Sequence, residues 1–160
     1  MMKRLLQLAV LMLALSTPAF AQTPASDIKA GDLVITQPWS RATPAGAKVG
    51  AGYLTIRNTG QQPDRLVSVS MPPAGRVEIH EMAEKDGVMT MRPMSGGVTI
   101  APGQTVTLAP GGIHLMLLDL KSQITRGDQL QGVLEFEKAG KVTVPFVAEA
   151  VGAPRPSAGH

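Results

Sequence analysis

Short β-branched stretches separated by turn residues recur along most of the chain, at 33–36, 51–58, 65–71, 76–82, 88–94, 98–100, 105–108, 114–120, 130–137 and 141–148. Alternation is clearest in the last of these. There Val142, Val144 and Phe146 take one side of a strand and Lys141 and Thr143 the other, as in a sheet with one wet face. Sustained helical spacing is absent beyond the N-terminal segment, and the 17 glycines and 13 prolines are scattered as punctuation rather than gathered in blocks. The pattern predicts an all-β domain over residues 28–151, either a Greek-key β-sandwich or a small barrel. Residues 22–27 read as a flexible lead-in, and 152–160 (GAPRPSAGH) as a disordered tail with nothing to bury.

The N-terminus follows different rules. Lys3 and Arg4 precede an apolar run over 5–15, and Ala19-Phe20-Ala21 closes it with small residues. This is the signature of a secretory signal cleaved after Ala21, so residues 1–21 predict export to the periplasm. The run falls well short of the ~20 residues that a membrane-spanning helix needs.

Composition narrows the function. With 160 residues, 44% of them hydrophobic and 17% charged, the chain can build one packed domain. Aromatics are 3%, too few for base-stacking platforms, which argues against nucleic acid as a partner. Once Lys3 and Arg4 leave with the signal the charges nearly balance, and no basic stretch is dense enough to hold phosphates or an anionic membrane. Cysteine is absent, which excludes disulfides, thiolate metal sites, thiol catalysis and a lipid-bearing cysteine. Methionine is abundant instead: nine, against three histidines.

Those two residue types gather. In the segment from Val77 to Met94, Asp86-Gly87 has the composition of a two-residue hairpin turn. With that turn Lys85 faces Val88, Met82 lies opposite Met91, Glu81 opposite Arg92, and His80 diagonal to Met91. Val77 and Ile79 alternate with His80 and Met82, so a core-facing Val/Ile pair leaves the His/Met pair on the outer face. Gly111-Gly112 then leads into a second His-x-Met, His114 and Met116. Thioether sulfur is a soft, neutral ligand suited to Cu(I), and imidazole suits copper generally. Calcium or magnesium needs clusters of oxygen ligands that this segment lacks. Thioethers also avoid the disulfide chemistry that threatens a cysteine pair in an oxidising compartment.

The other candidates suit structural roles. Glu81 and Arg92 make a cross-strand ion pair, Glu84 belongs to a solvated face, and Met71 to the core. Met89 and Met94 serve as packing or secondary contacts, and Trp39 and Arg41 form a fold-specific corner. His160 is a candidate for a second, more labile ion, Cu(II). A His-Glu-x-x-His motif and a recognisable Ser or Thr nucleophile motif are both missing, so the chain reads as a binding protein rather than an enzyme. The competing reading is a metal-free adhesion or assembly module of the envelope, with the methionines as packing.

The stretch from Ile28 to Val151 resembles the PCu(A)C family of periplasmic copper chaperones. The resemblance rests on Trp39-Ser40-Arg41-Ala42-Thr43-Pro44, Gly52-Tyr53-Leu54, Ile56-Arg57-Asn58, His80-Glu81-Met82, Met91-Arg92-Pro93, Pro102-Gly103 and Pro110 to Met116. It implies a cupredoxin-like β-sandwich and a Cu(I) site formed by His80, Met91, His114 and Met116. It also implies delivery of copper toward the binuclear copper centre of cytochrome c oxidase, whose copper-bearing subunit or another copper chaperone would be the partner. The interval between Met91 and His114 is one residue longer than the family's usual pattern, which a loop around 95–97 absorbs. Many relatives carry a longer Met/His-rich tail that assists Cu(II) binding; here the tail offers His160 alone.

Overall fold

The computed structural model describes residues 27–157; the predicted signal and His160 lie outside the described residues. The chain forms eleven strands: β1 (Ile28–Ala30), β2 (Leu33–Arg41), β3 (Val49–Asn58), β4 (Asp64–Ser70), β5 (Arg76–Lys85), β6 (Val88–Pro93), β7 (Val98–Ile100), β8 (Thr105–Leu108), β9 (Ile113–Leu118), β10 (Gln129–Phe136) and β11 (Gly140–Glu149). Helix is absent among the described residues. The all-β expectation holds, with strand limits close to the sequence pattern.

One hydrogen-bonded path runs β6-β5-β9-β3-β2-β11-β10-β4-β7, with β1 added on β2 and β8 on β3. The inward-facing side chains enclose a common core. Chain order breaks where β9 enters between β5 and β3 and where β11 enters between β2 and β10, crossovers of the Greek-key kind. The β2–β11 pair is parallel, Trp39 opposite Val147; the others are antiparallel.

Burial follows the alternation. Ile35, Ile56, Leu66, Ile100, Leu115, Leu117, Leu134, Val144 and Phe146 are fully enclosed. Fully burying such a side chain contributes about 1.5–3 kcal/mol each. Gly132 on β10 is required by this packing: a Cβ there would sit 2.7 Å from Phe146 Cε2 and 3.1 Å from Met71 Cε. Asp86 and Gly87 both adopt positive φ, 54° and 77°, the conformation a two-residue hairpin turn demands. The predicted register follows, with Lys85 opposite Val88, Glu81 opposite Arg92 and Met82 opposite Met91.

One expectation is revised. Strand β2 continues through Gln37-Pro38, where the residue pattern breaks, because the register shifts between Thr36 and Trp39 and Gln37 takes a φ of 50°. A bulge of this kind tolerates a proline that cannot donate to the ladder. Over 152–157 the segment after Gly152 makes hydrogen bonds to the sheet: the Ala153 carbonyl accepts from Arg41 Nε at 2.8 Å, and the Ser157 amide and hydroxyl donate to the Glu149 carboxylate at 2.9 and 2.8 Å. Glu149, which receives the last two of these bonds, is nearly enclosed.

Candidate metal centre

Strands β5 and β9 pair antiparallel with His80 opposite His114 and Glu78 opposite Met116. Residues directly opposed in such a pair project from the same face, and side chains alternate along each strand. Val77, Ile79, Leu115 and Leu117 turn to the core, so Glu78, His80, Met82, His114 and Met116 share the other face. Met91 joins them from β6 through its pairing with Met82, and Ala51 of β3 lies opposite Met116.

The two imidazoles are the centre of this face. Their ring centroids are 6.0 Å apart, with planes inclined by 54°. His114 is buried, and its Nδ1 lies 3.0 Å from the Gly112 carbonyl, to which it donates. That bond leaves Nε2 with a free lone pair. His80 is held the other way. Its Nε2 donates to Glu78 Oε2 at 2.8 Å, while its Nδ1 is buried with no hydrogen-bond partner. Leaving a buried polar nitrogen unpartnered costs about 1–3 kcal/mol, and His80 Nδ1 shares this condition with the Ser40 hydroxyl.

The thioethers differ in exposure. Met82 and Met116 are half-buried and line a groove of about 450 Å³ together with His114, Tyr53, Arg41 and Val151. Met91 lies outside the groove on the hairpin and is 47% exposed. Thus the structure brings His80, His114 and Met116 onto adjoining positions of one sheet pair, with Met91 diagonal to His80 on the next strand.

Tyr53, on the groove wall, packs against Trp39 with ring centroids 4.4 Å apart, and the Arg41 guanidinium lies 5.6 Å from the Tyr53 ring centre. Burial pushes the Tyr53 phenol above its ordinary value, and the Arg41 charge partly opposes this. Met71 is enclosed, Met94 packs on the core, Met89 is exposed near the turn, and Arg92 Nη2 pairs with Glu81 at 2.6 Å.

Among the described residues, no three His, Cys, Asp or Glu side chains cluster to hold a metal. Any ion on this face therefore depends on sulfur, a donor set that favours a soft cation over calcium or magnesium. Sequence reasoning missed Glu78 and Gly112 as partners of the two imidazoles. Both stand two residues before their histidine, the spacing that places alternate strand residues on one side, so the signal was present for Glu78.

Comparison with known proteins is consistent with this architecture. The LpqE-like family, described as lipoproteins, matches residues 33–148. A protein of Leifsonia xyli subsp. xyli (strain CTCB07) that carries the lipoprotein name Lxx21020 is 33% identical over 134 residues, spanning 82% of this chain and 78% of its own. Among solved structures, the apo PCuAC domain from PmoF1 is 35% identical, with a TM-score of 0.66 over 78% of this chain and 99% of that domain. The copper-bound PCuAC domain from PmoF2 is 30% identical, with a TM-score of 0.66 over 78% of this chain and 98% of that domain.

Proposed function

Because the chain belongs to the LpqE-like family and has the cupredoxin-like β-sandwich of the PCuAC domains, we propose that it is an exported, non-catalytic carrier of Cu(I). Its cargo is held by His80, Met91, His114 and Met116. The observation that carries this reading is the buried, unpartnered Nδ1 of His80 on the same face as a second imidazole and three thioethers. The copper held by the PmoF2 domain supports the choice of metal.

Each part of the face has a task in this reading. The two imidazoles supply borderline donors on strands pinned to the core by Ile79, Leu115 and Leu117. Met116 supplies sulfur from the same rigid strand as His114, and Met91 supplies it from the exposed hairpin. An exposed thioether lets an acceptor's ligand approach before the carrier's own ligands release the ion, as transfer by ligand exchange requires. Met82, which shares the face of His80 and lines the groove, is at hand as a further thioether during exchange. Delivery toward the binuclear copper centre of cytochrome c oxidase is the destination that the family resemblance supports, and export agrees with the segment 1–21 and the lipoprotein relatives.

Anaerobic competition with a chromogenic Cu(I) chelator tests the cargo, and the thermal midpoint tests it independently. A ligand that binds the native state must raise the midpoint. An unchanged midpoint at saturating Cu(I), with no chelator competition, would favour the metal-free envelope module. Mixing the Cu(I)-loaded protein with the apo copper-bearing domain of the oxidase tests delivery: after the two proteins are separated, copper content should have fallen in the carrier and risen in the acceptor.

A further inference from the structure

The two histidines are not presented alike. We infer that Glu78 is a positioning residue that holds His80 with its proton on Nε2, so that His80 offers Nδ1 to the ion while His114 offers Nε2. This inference rests on the carrier reading for the identity of the ion, but its geometry stands in the metal-free protein.

An ionised carboxylate only accepts hydrogen bonds, so the 2.8 Å contact between Glu78 Oε2 and His80 Nε2 requires the proton on that nitrogen. Nδ1 is then a bare lone pair, and it is the buried atom without a partner. Glu78 itself is fixed: its other oxygen accepts from Arg76 Nη1 at 2.9 Å, and Arg76 Nε donates to Asp119 Oδ2 at 3.1 Å. The chain Asp119–Arg76–Glu78–His80 orients the ring from the β5 side, where Arg76 and Asp119 face solvent. His114 depends instead on a neutral backbone carbonyl two residues before it, Gly112.

The two supports differ in strength. A carboxylate behind an imidazole raises its basicity as well as setting its orientation, and losing such an outer partner typically costs ~10–100-fold in metal affinity. A carbonyl orients the ring without adding a charge. His80 is therefore the imidazole whose grip is tunable from outside the ligand set.

Long-range ¹⁵N NMR of the imidazoles tests this in the metal-free and Cu(I)-loaded protein. In the metal-free protein, His80 should carry its proton on Nε2 and His114 on Nδ1. On loading, the nitrogens that shift should be Nδ1 of His80 and Nε2 of His114. Glu78→Ala should expose the His80 Nε2–H to solvent exchange and weaken Cu(I) binding by ~10–100-fold. Glu78→Gln, which keeps an oxygen acceptor in place, should restore much of the loss. A Cu(I) shift at His80 Nε2, a metal-free His80 protonated on Nδ1, or a folded Glu78→Ala variant with unchanged affinity would each overturn the inference. Failure of wild-type protein to shift either ring with Cu(I) would instead sink the carrier reading and remove His80 as a ligand. The metal-free spectra would still decide whether Glu78 holds the proton on Nε2.

Discussion

His80 and His114 stand directly opposite one another on β5 and β9, 34 positions apart in the chain yet with ring centroids 6.0 Å apart. The relationship is produced by the core beneath them. Ile79 and Leu115, the next residue on each strand, are themselves register partners and both buried, so the imidazoles are aimed outward by the packing of their neighbours.

Thioether removal should act on cargo and spare the fold. Leucine keeps most of methionine's volume without the sulfur. Met91→Leu and Met116→Leu should each lower Cu(I) affinity by at least ~10-fold, the lower bound typical even of outer-shell losses, with thermal midpoints of the metal-free proteins near wild type. Chelator competition and calorimetry measure the two quantities. Unchanged affinity in both variants would refute the sulfur assignment.

Leu115 is the opposite case. It is fully enclosed between His114 and Met116 in the chain, so Leu115→Ala removes core volume from the strand that carries half the proposed ligands. A loss of about 2–5 kcal/mol is expected for such a truncation, read as a lower urea midpoint.

Gly132 should not tolerate a methyl group. With the new Cβ at 2.7 Å from Phe146 Cε2, the ring must move against a filled interior. Gly132→Ala should destabilise the domain by about 1–3 kcal/mol. An urea midpoint equal to wild type would show that the ring relaxes freely.

Tyr53 predicts an alkaline weakness. Its phenol is raised above the ordinary 10.0 by burial, so folding favours the neutral form. Below pH 10 both folded and unfolded chains keep that proton and the contribution is complete. As pH climbs past 10 the unfolded chain ionises first, and stability falls until the folded value is passed. Tyr53→Phe should flatten this part of a plot of urea midpoint against pH. A slope unaltered by the substitution would assign the weakness to other groups.

Local chemistry was readable before the structure, and distant pairing was not. The Asp86-Gly87 turn determined which residues of the hairpin oppose each other, because a two-residue loop leaves a single register. Alternation separated Ile79 from His80 and Leu115 from His114. The adjacency of β5 and β9 could not be read this way, since any strand with one apolar face satisfies the same pattern. The resemblance supplied that link by grouping His80 with His114. The β-branched pattern ends at residue 36, and the bulge that carries β2 on past Pro38 leaves no compositional mark. Glu78 becomes informative only once its carboxylate is seen against His80 Nε2.

All six residues of β6 are exposed, and among the described residues the strand hydrogen-bonds to the sheet through β5. Met91 is therefore mounted on an outrigger. Substitutions at 88–93 can drift among homologues without melting the domain, which leaves cargo grip and thermal endurance as separately adjustable traits.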